Sequence, residues 1–174
     1  MNDIRHRIVD AEGTRIHLVE CGPDDPAAPV ALMVHGFPES WYSWRNQLPV
    51  LAAAGYRALA MDVRGYGRSS KPTRVEDYRM VRKVADVVGV ADALGSDALT
   101  LIGHDGGAPI VWTRALLRPD RFRGVAGLSV PFAPPNRDVR PTVGMRARAG
   151  DDEFYVEYFQ QVGRAEAEIE ANVR

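Results

Sequence analysis

The sequence is short of the features that mark disulfide-bonded, membrane-bound or nucleic-acid-binding proteins. Its 174 residues contain one cysteine, Cys21, which excludes an internal disulfide and a cysteine-based metal cluster. Neither sign of charge is in excess: 22 Lys and Arg against 23 Asp and Glu leave a net charge of −1. Nucleic-acid binders carry a basic surplus, so that class is not expected. No apolar run approaches the roughly 18–20 residues of a membrane-spanning helix. The first ten residues, with Arg5, Arg7 and two aspartates, hold no apolar stretch and do not read as a secretory signal. The expectation is a cytoplasmic protein that binds neither nucleic acid nor membrane. A chain of this length can bury roughly 70% of its unfolded surface.

Along the chain, short β-rich runs alternate with helical patterns. Arg5–Val9 and Thr14–Glu20 read as strands around the turn residue Gly13, the second partly alternating, with Arg15, His17 and Glu20 on its polar side. They are too close for a crossover helix, so an antiparallel hairpin at the sheet edge is expected. Val30–Val34 (VALMV) is continuously apolar, as in a strand covered on both faces, and Arg57–Met61 and Ala98–Ile102 read as further buried strands. Helices are expected from about Ser43 to Leu51, from Met80 to Leu94 with a stripe at Val81, Val84, Val88 and Ala91 and with Val87 and Leu94 alongside, and from Gly107 to Leu117. Asp62–Pro72 reads as a loop, and Phe122–Leu128 as a last, weaker strand. The alternation predicts an α/β fold with a mainly parallel sheet. Residues 1–130 are expected to form this core. Pro131–Gly150, with four prolines and four arginines, reads as a linker. Residues 151–174 begin a helical segment whose apolar face comprises Phe154, Tyr155, Tyr158, Phe159 and Val162.

The sharpest chemical signal is Gly103-His104-Asp105-Gly106-Gly107, placed between a strand and a helix. In a G-x-nucleophile-x-G elbow the central residue sits in a strained turn, so the residues two positions away must lack bulk. The central residue here is Asp. A helix N-terminus behind it favours the ionised carboxylate, and a carboxylate can attack carbon to form a covalent ester. The plain alternative is a glycine-rich turn. No serine occupies such an elbow, which argues against a serine esterase. The second signal, His35-Gly36-Phe37-Pro38, follows VALMV. A loop there supplies one oxyanion-hole amide and the residue after the nucleophile the other, so the backbone N–H groups of Phe37 and Gly106 are the expected donors. His35 and His104 are then expected to support the site rather than act as bases. Gly65-Tyr66-Gly67-Arg68-Ser69-Ser70 lacks the third glycine of a dinucleotide fingerprint and does not open a helix, so no cofactor is expected.

The segments HGFPESWYSWRNQLP (35–49), MDVRGYGRSSKP (61–72), DALGSDALTLIGHDGGAP (92–109) and FYVEYFQQVGRAEAEIE (154–170) together resemble the α/β-hydrolase superfamily, and within it the epoxide hydrolases. The resemblance implies an Asp105 nucleophile, and a small apolar epoxide and water as substrates. It also implies a helical cap beginning near residue 151. By position in FYVEYFQ, Tyr155 matches the cap tyrosine that assists ring opening; packing on an apolar face is the alternative. Trp41, Trp44 and Tyr158 are expected near the pocket. No metal is implied.

Two departures from the family pattern stand out. The residue after the nucleophile is often Trp in this family and is Gly106 here, which removes a pocket wall and weakens a dehalogenase alternative, where that Trp helps hold the halide. All four histidines (6, 17, 35 and 104) precede the cap. The family's catalytic histidine, its acidic partner and the second cap tyrosine belong to segments beyond the position of Arg174. The expectation is an N-terminal portion of an epoxide hydrolase that can alkylate once but not turn over. A non-catalytic remnant is a further alternative.

Overall fold

Six strands form one mixed sheet in the order β1-β2-β4-β3-β5-β6: β1 Arg5–Ala11, β2 Thr14–Cys21, β3 Val30–Val34, β4 Arg57–Met61, β5 Leu99–His104 and β6 Phe122–Leu128. The computed structural model describes residues 4–96, 99–134, 138, 141–149 and 152–173. Strands β1 and β2 form the expected antiparallel hairpin at the edge, β2 pairs antiparallel with β4, and β4, β3, β5 and β6 run parallel. The expected start of β5 at Ala98 lies outside the described residues. Helices α1 (Gln47–Ala53), α2 (Met80–Ala93) and α3 (Gly107–Leu117) accompany the sheet.

Alternate strand residues feed two cores, because successive side chains point to opposite faces. Ile16, Leu18, Leu32, Leu59 and Leu101 meet Val84, Val87 and Val90 of α2 and Ile110 and Val111 of α3. On the opposite face Val19, Met33, Ala58 and Ala60 meet Trp44, Leu48 and Ala52. VALMV is buried at every position, as a doubly covered strand requires.

Several local expectations are corrected. A short 3₁₀ turn at Trp41–Trp44 precedes α1, in place of one helix from Ser43. Helix α2 buries Val84, Val87, Val90 and Ala91, while Val81 is exposed. The stripe is rotated because Asp86 turns inward to Arg64. Strand β2 does not alternate in exposure: His17 and Glu20 are buried. Glu20 is enclosed by Arg5, Arg7 and Arg57, and His17 by Asp62, so their charges and dipoles are met internally.

The chain divides into two compact units, Met1–Phe132 and Ala133–Arg174. In the second unit a nine-residue helix, α4 (Pro141–Ala149), occupies part of the stretch read as a linker. The expected continuous face from Phe154 to Val162 is broken. Helix α5 (Tyr155–Tyr158) is one turn, Val162 is exposed, and α6 (Arg164–Ala171) starts after Gly163, whose φ of +87° ends the preceding turn. No helix among the described residues is long and apolar enough to cross a membrane.

Candidate active site

Register places the site. Val34 of β3 pairs with both Gly103 of β5 and Met61 of β4, so the loops after all three strands leave the same end of the sheet. In open α/β sheets that carboxyl end is where ligands bind.

Asp105 sits at the turn from β5 to α3 with φ +47°, a left-handed conformation that costs a non-glycine residue about 1–2 kcal/mol. The turn is held by Asp105 N–H donating to Leu128 O at 3.2 Å and by Ala108 N–H donating to Asp105 O at 3.0 Å. Only glycine fits at three neighbouring positions. A Cβ on Gly107 would collide with the carbonyl oxygen of Val34, and one on Gly36 would lie 2.5 Å from the Asp105 carboxylate. Gly103 faces Gly107 O and Ala108 just as closely. The loop and the elbow are therefore in direct backbone contact.

The Phe37 N–H donates to Asp105 Oδ1 at 2.9 Å. Among the described residues Oδ2 accepts no hydrogen bond, and the carboxylate is half-buried. One oxygen is thus anchored and the other is open to attack an electrophilic carbon. The Gly106 N–H makes no hydrogen bond to Asp105, although the residue lies against Gly36 and Phe37. Pro38 follows Phe37 through a cis peptide bond.

His35 is buried beneath the loop. Its Nδ1 lies 2.8 Å from Gly36 O, and its Nε2 lies 3.0 Å from Val63 N. A carbonyl only accepts and an amide N–H only donates, so the ring is neutral with its proton on Nδ1. Burial pushes its pKa down, outweighing the pull of the Gly36 carbonyl, Asp62 and Glu39. His35 is therefore a strut for the loop, not a base.

The charged residues around it imply an acid-labile fold. Below the ordinary value of 6.5, the unfolded chain binds a proton at His35 that the folded chain resists, so stability falls as pH drops. His6 behaves likewise, lowered by burial and then by His17 and Arg68. Burial alone would raise Glu20 and Asp62. Arg57 and Arg7 hold Glu20 below its ordinary 4.5, and the Trp41 and Arg68 amides with His17 hold Asp62 below 3.8. Their contribution is lost at still lower pH. Urea unfolding between pH 8 and 3 is expected to show stability falling first below pH 6.5, the histidine range, and again in the carboxylate range. His35→Gln is expected to flatten the first decline.

Two supporting residues were not singled out in the sequence. Glu39 accepts from Gly36 N–H at 3.1 Å and stands 3.4 Å from His104 Nδ1, tying the loop to the residue before Asp105. Its place directly after His-Gly-Phe-Pro was the available signal. Asp62 accepts from Trp41 N–H, Arg68 N–H and His17 Nδ1 at 2.8–2.9 Å, which orders the loop expected only to be irregular. Trp44 lines a cavity of about 240 Å³ with Glu39, Ser43, Gln47, His104 and Leu128. Trp41 packs edge-on to His6 and Tyr42.

In the second unit Tyr155 opens α5 and contacts Phe154 and Phe159, its ring partly exposed. Tyr158 donates to Glu168 Oε2 and lies under the Arg164 guanidinium. Among the described residues no cluster of His, Cys, Asp or Glu is arranged to hold a metal.

Comparison with known proteins adds a lineage to this geometry. The chain is 50% identical over 163 residues to epoxide hydrolase A of Mycobacterium tuberculosis, covering 94% of this chain and 50% of that protein. It is 44% identical to bifunctional epoxide hydrolase 2 of Mus musculus over 173 residues, 99% of this chain and 30% of that one. Among solved structures, an epoxide hydrolase from an endophytic Streptomyces superposes with a TM-score of 0.87 at 60% identity, covering 97% of this chain and 50% of that one. Epoxide hydrolase A from Mycobacterium thermoresistibile gives 0.89 at 46%, covering 98% and 53%. The chain thus spans about half the length of these relatives, or less. Residues 29–167 match the family model for the alpha/beta hydrolase fold, and this chain belongs to that family.

Proposed function

We propose that the chain carries the alkylating half of an epoxide hydrolase. The observation that carries this reading is the Asp105 carboxylate, held in a left-handed elbow with Oδ1 on the Phe37 amide and Oδ2 unbonded among the described residues. The relatives' names support it. Oδ2 attacks an epoxide carbon; the new Oδ2–C bond forms as the ring C–O bond breaks, and the released alkoxide takes a proton. The product is an alkyl ester on Asp105. Oδ1 has become the ester carbonyl oxygen and still faces the Phe37 N–H, where charge develops if water attacks the ester carbon. That attack would release a vicinal diol and restore the carboxylate.

Among the described residues no histidine hydrogen-bonds to Asp105, and His35 and His17 have both ring nitrogens engaged. The 174-residue chain is therefore expected to accumulate the ester. Intact-mass analysis after exposure to styrene oxide should show one persistent adduct, mapped to Asp105. Steady diol production, or an adduct elsewhere, would overturn this. Halide release from a haloalkane at a comparable rate would favour the dehalogenase reading.

We assign the proton given to the alkoxide to Tyr155, which opens the region that resembles the cap. Positioned acids contribute about 10²–10⁴-fold. Tyr155→Phe is thus expected to slow adduct formation by about 10²-fold. An unchanged rate would assign that proton to water.

A further inference from the structure

The elbow leaves room beside Asp105. Gly106 has an ordinary φ of −60°. A Cβ built there would meet Gly36 and Phe37 only at 3.7–3.9 Å, so a side chain would fit where there is none. Gly106 instead lines a cavity of about 60 Å³ with Phe37, Val63, Tyr66, Lys83 and Ile110.

The charge around this cavity is unbalanced. Lys83, on α2, is half-buried. Asp86, the carboxylate that attracts it, gives both oxygens to Arg64 at 2.6 and 2.5 Å. Arg64 and Asp86 cancel, and the Lys83 ammonium is left over. Burial first, and Arg64 second, push its pKa down. Among the described residues neither the Lys83 ammonium nor the Tyr66 hydroxyl makes a hydrogen bond. Tyr66 links the cavity to the site. Its ring stands edge-on to His35 at 5.1 Å, and its hydroxyl senses the charge of Asp105.

We propose that this cavity is a carboxylate subsite, in which Lys83 and Tyr66 bind the acid group of an epoxide whose ring faces Asp105. The proposal rests on the reading of Asp105 as the nucleophile. The cavity, of about 60 Å³, has room for a group the size of a carboxylate. Charge selects the ligand. One ammonium and one hydroxyl match a singly charged, two-oxygen group better than a phosphate dianion. An anion here offsets the desolvation of the ammonium. Gly106, next to Asp105 in the chain, adds no side chain to the cavity wall.

Oxirane-2-carboxylate and oxirane-2-carboxamide have nearly the same shape and differ in charge. Their single-alkylation rates, read by intact mass, give a carboxylate-to-carboxamide ratio. Lys83→Gln is expected to lower that ratio about 10- to 100-fold, the range for losing a hydrogen bond to a charged group. Lys83→Arg should retain part of it, and Gly106→Trp should abolish it by crowding the cavity that Gly106 lines. An unchanged ratio in Lys83→Gln overturns the subsite. Glycerate binding to Asp105→Asn, measured by calorimetry, provides a second test that needs no chemistry. Binding that is lost on adding Lys83→Gln supports the subsite, and absent or Lys83-independent binding overturns it. If neither epoxide alkylates Asp105 but glycerate binding depends on Lys83, the nucleophile reading fails and the subsite stands.

Discussion

Asp105→Asn is expected to abolish covalent labelling by epoxides, slowing it by at least about 10⁴-fold, the scale on which removing a nucleophile acts. The substitution is nearly isosteric. The amide oxygen can still accept the Phe37 N–H now bound to Oδ1, so the loop and elbow keep their contact. What is lost is Oδ2, the oxygen with electrons to give; an amide nitrogen does not attack carbon at neutral pH. Folding should change little, because an Asn side chain tolerates the left-handed φ of +47° comparatively well. The substitution places Asn before Gly106, a step prone to deamidation back to Asp. Labelling should therefore creep back in aged protein and be absent from fresh protein. Asp105→Ala serves as companion. It cannot revert, but alanine tolerates the left-handed φ of +47° less well than Asp or Asn, at a cost of about 1–2 kcal/mol. Both variants should lose the adduct while only the second loses appreciable stability. Undiminished labelling of fresh Asp105→Asn would remove Asp105 from the chemistry altogether.

The parts of the fold that were legible in the sequence are those set by local chemistry. VALMV is apolar throughout and RALAM is apolar after Arg57, and strands covered on both faces have no other place. The elbow was legible for a steric reason, since a turn this tight needs its glycines and Gly103 and Gly107 provide them. What escaped depends on partners distant in sequence. His17 and Glu20 look like the outward side of an alternating strand. They are buried because Asp62, 45 residues on, and Arg57, 37 residues on, come to meet them. Periodicity cannot count such a compensation. The same failure rotated the reading of α2, where Asp86 counts as outward until Arg64 is placed beside it. Glu39 was overlooked because its role, bridging Gly36 and His104, exists only once two loops lie together. Phe154 to Val162 failed differently. The apolar spacing is helical, but Gly163 follows and the segment makes a single turn.

Arg64→Met is expected to be the most damaging substitution for stability in the first unit. The guanidinium is 5% exposed and its partner carboxylate 1%. It donates Nε and Nη2 to the two oxygens of Asp86, Nη1 to Asp77 O, and Nη2 to Thr14 Oγ1. These bonds join β2, the loop after β4, the turn before α2 and α2 itself. Replacing both members of a buried ion pair with apolar groups is often neutral, whereas removing one costs about 3–5 kcal/mol because the other charge is stranded. A domain has only about 5–15 kcal/mol to lose. In a unit of this size 3–5 kcal/mol corresponds to about 6–20 °C in melting temperature. Asp86→Leu alone should be comparably harmful, and Arg64→Met with Asp86→Leu should recover much of the loss. The cycle also bears on the cavity beside Asp105. With Arg64 gone, Asp86 is free to take the Lys83 ammonium as its counter-ion. Arg64→Met should then lower the carboxylate-to-carboxamide ratio as Lys83→Gln does, even where the variant remains folded. Removing both Arg64 and Asp86 should release Lys83 and restore the ratio. Stability and selectivity would then respond to one network of three charges in which only the lysine is left to meet a ligand.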